Sequence, residues 1–225
     1  MVDKLAELVG VTVPALREIA DALAEGLGEV AEKRPFVDMV DRLAVNREPD
    51  HPYITARMWS WWPLREAAEV TGITIHHTLS HSPEATAAYC ARPQREGGKG
   101  YPSIQYHFWV SAADGCRCYR CAPVEWMLWH DHTGAWPTTI SVGMAGRLHA
   151  GRPPEEQVEA AARLVAWLMR EYEVPLEEVR GHNERYRGTI CPGWDVAGWR
   201  DVFFEALMGA TNCPSPQPSP GGRGR

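Results

Sequence analysis

The sequence predicts an α/β domain between residues 70 and 210, and three observations carry that reading. Gly72-Ile-Thr-Ile-His-His is a short, β-branched run that reads as a strand, and Thr139-Ile-Ser-Val-Gly-Met-Ala reads as another. From Pro154 to Tyr172, the residues Val158, Ala161, Leu164, Val165 and Leu168 recur at the helical period and share one face. Strands that alternate with helices argue for a sheet covered by helices.

The elements follow in order along the chain. From Asp3 to Val45 the apolar residues Leu5, Leu8, Val9, Leu16, Ile19, Leu23, Leu27 and Val30 keep a spacing of three and four, so residues 1–50 are read as a helical accessory segment. Within it, Lys4 to Ala20 faintly resembles a helix-turn-helix with Gly10 at the turn. Glu18, Asp21 and Glu25 outnumber Arg17 on the second helix, which is the wrong sign for a phosphate-lined groove, so a packing or partner-binding cap is the better reading. Residues 51–69 are rich in Pro, charge and Trp (Trp59, Trp61, Trp62) and read as a linker that docks its aromatics on the next domain.

Residues 70–210 form the main domain. After the first strand, Ser82 and Pro83 stand as N-cap and first-turn residues of a helix through Ala91. Ile104-Gln-Tyr-His-Phe-Trp-Val predicts a strand, Asp114-Gly115 a turn, and Cys116 to Cys121 the returning strand of a hairpin. Residues 211–225 are dominated by Pro, Gly and Ser and are expected to be disordered and dispensable.

Composition narrows the function. A net charge of -6 argues against a general nucleic-acid binder, and a hydrophobic fraction of 44% with ten Trp describes a chain able to bury a core. No run reaches the roughly 18 apolar residues that cross a bilayer, so stable membrane insertion is not expected. The start Met-Val-Asp-Lys lacks a basic-then-apolar leader, which predicts synthesis as a cytoplasmic species. The six cysteines (Cys90, Cys116, Cys118, Cys121, Cys191, Cys213) are too sparse for a disulfide scaffold. On a strand Cys116 and Cys118 face one way and Cys121 the other, which favours buried thiols over a metal cluster.

Three residues have donor atoms suited to zinc: His76 at a strand end, His182 in Arg-Gly-His-Asn, and Cys191 in Thr-Ile-Cys-Pro-Gly. Two imidazoles and a thiolate make a three-ligand set with a fourth position open, the pattern of a catalytic zinc site. Taken singly, each is more often a hydrogen-bonded histidine or a small buried hydrophobe.

Their order and surroundings carry a resemblance. Ile73-Thr-Ile-His-His-Thr, Tyr106-His-Phe before Ala113-Asp-Gly, His132-Thr-Gly, Ile140-Ser-Val-Gly-Met-Ala-Gly, and Gly181-His with Thr189-Ile-Cys-Pro-Gly are similar to the ordered motifs of type 2 N-acetylmuramoyl-L-alanine amidases. That family includes bacteriophage amidase lysozymes and animal peptidoglycan recognition proteins, and the similarity spans about residues 70–208. It implies a mixed sheet flanked by helices with a zinc cleft at one edge. It implies His76, His182 and Cys191 as Zn2+ ligands, Tyr106 as the catalytic tyrosine, and Thr189 as a second donor. His132, Trp136 and His77 are then candidates for substrate contact, with His77 also able to act behind the ligands and His132 equally readable as a structural loop residue.

The implied reaction is hydrolysis of the amide between N-acetylmuramic acid and L-alanine, with peptidoglycan or a muropeptide as partner. A chain without a leader would reach the wall after holin-mediated release. Two rival readings are a non-catalytic peptidoglycan-binding module, which in this family has lost the cysteine, and a muropeptide-recycling amidase, which usually has Asp in its place. Cys191 argues against both. Two departures from the family pattern are visible: His182 and Cys191 lie nine residues apart, one more than expected, so the loop through 185–188 must bulge, and Gln105 stands where Gly is usual.

Overall fold

The computed structural model describes residues 34–57, 61–131, 133–194 and 198–212. The helices expected in the first 33 residues, the tail from 213 on, and the roles assigned to Trp59, His132 and Cys213 lie outside the described residues.

Among the described residues the strands are β1 (Val37–Asp38), β2 (Gly72–His77), β3 (Phe108–Val110), β4 (Cys118–Arg120), β5 (Thr139–Met144) and β6 (Val179–Gly181). The helices are α1 (Pro52–Ala56), α2 (Pro83–Ala91), α3 (Glu155–Glu171), α4 (His182–Arg185) and α5 (Trp199–Asn212). The strands make one sheet in the order β1-β4-β3-β5-β2-β6. Only the β3–β4 hairpin is antiparallel, while β1–β4, β3–β5, β5–β2 and β2–β6 run parallel. The mixed sheet and the flanking helices are those the sequence predicts.

Side-chain alternation divides the two central strands by chemistry. Ile73 and Ile75 of β2 and Ile140, Val142 and Met144 of β5 join one core with Ala161, Leu164, Val165 and Leu168 of α3 and Trp199, Phe203 and Leu207 of α5. The intervening residues Thr74, His76, Thr139, Ser141 and Gly143 face the other way. Both strands are buried along their whole length, so this polar face is also covered. Part of its cover comes from segment 61–65 and from the chain around Ser103, Trp126 and His130. Trp62 is 2% exposed and its indole N–H donates to Ser103 Oγ at 2.8 Å. Trp61 meets Trp126 edge-on at 5.1 Å. Trp61 and Trp62 thus lie against the body of the fold.

Buried Arg65 ties that cover to the sheet: its guanidinium donates to the carbonyls of Val124 (2.8 Å), Pro137 (2.9 Å) and Thr139 (2.9 Å). Burial lowers its pKa to about 10, so it stays cationic at neutral pH.

Local rules account for most boundaries. Ser82 Oγ accepts from Ala85 N at 3.1 Å and Pro83 follows it, a cap worth about 1 kcal/mol. The hairpin turns through Asp114, Gly115 and Cys116, all with positive φ near 60°, where Gly115 is at ease and the other two carry strain. Cys118 enters the core under α3 and Cys121 the one on the opposite side, as strand alternation requires.

Two expectations are corrected. The predicted strand Ile104–Val110 is a strand only from Phe108: before it, the His107 ring accepts from Ser141 N at 3.0 Å and Ser141 Oγ donates to Gln105 O at 3.1 Å, so side chains take up backbone groups beside a backbone bond from His107 N to Ser141 O. The chain also enters the sheet earlier than the helical period suggests, since Val37–Asp38 add an edge strand to β4.

Candidate metal centre

The sheet brings the first two candidate ligands together. β2 and β6 are parallel with Ile75 opposite Gly181, so the next residue on each, His76 and His182, emerges at the carboxyl ends of adjacent strands. Their rings are 4.6 Å apart. Gly181 is required between them and the following loop: a Cβ there would come within 2.7 Å of the Trp199 ring and 2.9 Å of Pro192 Cδ. Its N–H donates to Glu184 Oε2 at 2.6 Å, which starts α4 with His182 as first residue.

Cys191 arrives on the loop after α4. Asn183 N donates to Cys191 O at 2.6 Å, and Cys191 N donates to Thr189 Oγ1 at 3.1 Å, which closes a tight turn around the cysteine. The ligand atoms of His76, His182 and Cys191 all lie within 4.8 Å of one another, and Cys191 Sγ is 3.6 Å from His76 Nδ1. Tyr186 to Gly188, in the stretch that joins His182 to Cys191, are exposed.

The electrostatics suit a cation. Burial pushes the Cys191 thiol up to about 12, although the His77 backbone N–H, which donates to Sγ at 3.2 Å, favours the thiolate. Burial, then the neighbouring rings of His182, His130 and His77 and the Arg185 guanidinium, hold His76 well below its ordinary 6.5, so it presents a neutral ring. A cluster of two imidazoles and one buried thiol, with His76 held neutral, gains by trading the thiol proton for a metal ion.

The remaining candidates fall at different distances from this centre. Tyr106 has its ring centroid 5.7 Å from that of His76. It lies over Gly143, where a Cβ would meet Tyr106 Cγ at 3.0 Å and Thr78 Cγ2 at 2.7 Å. Burial raises its phenol far above 10, so it stays protonated and able to donate. Thr189 touches the centre through the Cys191 N–H. His77 contributes its backbone, while its ring faces away from His76 and lies 5.3 Å from that of His149. Trp136 is half-buried and meets Tyr53 edge-on at 6.5 Å; Tyr53 in turn stacks on Trp129 at 3.7 Å. That aromatic group joins Tyr53 of α1 to Trp129 and Trp136 of the loop after Trp126.

Two contacts were not anticipated. His76 Nε2 lies 3.1 Å from Nδ1 of His130, whose side chain is fully buried, and His130 Nε2 lies 3.1 Å from Thr139 Oγ1. In the sequence Trp-His-Asp-His, the resemblance drew attention to His132 and nothing in the spacing marked His130. Gln105 donates through Nε2 to the carbonyl of Trp129, so this departure from the family pattern braces the loop that carries His130.

The N-acetylmuramoyl-L-alanine amidase family profile matches residues 66–194. No curated protein sequence matches the chain. Among solved structures, the Ph2119 endolysin from Thermus scotoductus MAT2119 bacteriophage Ph2119 is similar at 22% identity, covering 76% of this chain and 98% of the endolysin with a TM-score of 0.56. The amidase LysC from Clostridium intestinale URNW has 21% identity, coverage of 64% and 91%, and a TM-score of 0.51. Peptidoglycan recognition protein-LE, solved with monomeric diaminopimelic acid-type peptidoglycan, has 17% identity, coverage of 77% and 93%, and a TM-score of 0.54. At these identities the structural likeness is one of fold, and the profile match over more than half of the chain carries the assignment: the chain belongs to the N-acetylmuramoyl-L-alanine amidase family.

Proposed function

We propose that the chain is a zinc-dependent hydrolase of the amide bond between N-acetylmuramic acid and the L-alanine of the peptidoglycan stem peptide, acting as an endolysin or autolysin. The observation that supports it most directly is the convergence of His76, His182 and Cys191 within 4.8 Å. Two nitrogens and one sulfur fit zinc and leave a fourth position open. Bound there, zinc supplies Lewis acidity toward an amide carbonyl and makes water a nucleophile at neutral pH.

The protein groups take the remaining roles. The Tyr106 hydroxyl, protonated and carried on a ring 5.7 Å from that of His76, donates to the oxygen on which negative charge develops. Thr189 shapes the turn at Cys191 through its acceptor oxygen and keeps its own hydroxyl proton as a second donor. His132 and Trp136 are assigned to the substrate groove, Trp136 by its half-exposed ring beside Tyr53. The His77 N–H supports the thiolate.

A non-catalytic wall-binding module is the second reading, since peptidoglycan recognition protein-LE shares the fold and was solved with a muropeptide. The retained Cys191 favours catalysis. Among the described residues no helix is long and apolar enough to cross a membrane.

Metal analysis tests the ligand set. The purified protein is expected to hold one zinc per chain, and Cys191→Ala to lose tight binding, because two histidines make an incomplete site. Stoichiometric, tightly held zinc in that variant would overturn the ligand set.

A further inference from the structure

His76 uses both of its ring nitrogens. Nδ1 is turned toward Cys191 Sγ at 3.6 Å, and Nε2 toward His130 Nδ1 at 3.1 Å. A nitrogen that binds a metal carries no proton, so a neutral His76 that ligates through Nδ1 keeps its proton on Nε2 and donates it to His130 Nδ1. His130 then carries its own proton on Nε2 and donates to Thr139 Oγ1 at 3.1 Å. Thr139 completes the chain by donating to the Ala135 carbonyl at 3.1 Å. Each hydrogen has one place to go, and every donor meets an acceptor.

We propose that His130 is a positioning residue for the metal centre: its Nδ1 fixes the orientation and tautomer of the His76 ring, and Thr139 fixes His130. This rests on the zinc reading of His76, His182 and Cys191.

The surroundings make His130 a rigid support. Its side chain has no exposed surface, and its ring lies 5.2 Å from that of His76 at 85°. The loop that carries it is pinned from three sides: Gln105 donates to Trp129 O, Arg65 donates to Pro137 O and Thr139 O, and Asp131 Oδ1 accepts from Thr133 N at 2.9 Å. Groups behind a metal-bound histidine commonly hold its ring and tune its basicity, and their loss costs 10- to 100-fold in metal affinity. Most such partners are carboxylates or carbonyls. Here the acceptor is a second imidazole, which can accept at Nδ1 only while Thr139 takes the proton at Nε2.

The test compares zinc affinity, by chelator competition, with the visible spectrum of the cobalt-substituted protein across three variants. His130→Leu keeps the bulk but removes the acceptor and leaves the His76 N–H buried without a partner; zinc affinity should fall 10- to 100-fold and the cobalt bands should shift. His130→Asn places an oxygen near the lost Nδ1 and should restore most of the affinity. Thr139→Val, nearly isosteric, should weaken binding by a smaller factor and guards against misfolding of the first variant.

Wild-type zinc affinity and unchanged cobalt bands in His130→Leu and Thr139→Val would overturn the proposal. Equal weakening in His130→Leu and His130→Asn, with both folded, would also overturn it, since packing alone would then explain the loss. A wild-type protein that takes up no zinc would instead bring down the ligand set, and this inference with it.

Discussion

At the scale of single residues, Tyr106 separates chemistry from structure. Removing its hydroxyl in Tyr106→Phe keeps the ring over Gly143 and beside His76, so fold and zinc content should survive. A donor aimed at developing charge acts on the transition state more than on the ground state. Turnover should fall by roughly 10²–10³ with KM little altered, measured as L-alanine amino termini released from peptidoglycan. Wild-type release would make Tyr106 a packing aromatic and move the role to Thr189 or His132.

Residue-level legibility in the sequence was uneven for a physical reason. His76, His182 and Cys191 could be named because they sit in ordered motifs. His130 and Arg65 could not, since each acts across the fold: His130 reaches His76, and Arg65 reaches the carbonyls of Val124, Pro137 and Thr139. No local pattern reports contacts of that separation.

At the scale of elements, the sheet buries a polar face that it can tolerate only while its imidazoles are neutral. His76, His107 and His130 are all buried, and burial leads the causes that hold each well below the ordinary histidine value of 6.5. In the unfolded chain each would titrate near 6.5, so below that pH the unfolded state takes up protons that the folded state refuses. Stability is therefore present above about pH 6.5 and lost as pH falls through it. The melting temperature of the zinc-free protein should drop progressively between pH 6.5 and pH 5, as followed by circular dichroism. A flat profile would contradict three neutral, buried rings.

Element legibility followed length and period. β2, β5 and α3 were readable because six residues of alternation or four turns of helix outweigh local noise. β1, β6 and α4 hold two, three and four residues and give no period to read. α5 did leave a signal, Trp199, Phe203 and Leu207 at successive spacings of four, all buried. β3 starts later than predicted where the His107 and Ser141 side chains take up backbone groups, the His107 ring accepting from Ser141 N and Ser141 Oγ donating to Gln105 O.

At the scale of the whole molecule, the parallel β2–β6 pair, the Cys191 turn and the cover over the polar face serve one arrangement. The apolar face of the sheet is fixed to α3 and α5, which leaves the carboxyl ends of β2 and β6 as a firm base for His76 and His182. Gln157 ties α3 to the neighbouring strand ends, its buried amide donating to Val110 O at the end of β3 and to Ala145 O just after β5, at 3.0 Å each. Such rigidity is what a ligand set needs to hold its geometry.

Whether this geometry cleaves one bond is decided by mass spectrometry of digested peptidoglycan. Zinc-loaded wild-type protein should release stem peptides with a free L-alanine amino terminus and leave glycan strands that carry intact lactyl groups, while Cys191→Ala releases none. Wall binding without those products, or products cut within the glycan or between stem-peptide residues, would contradict that cleavage.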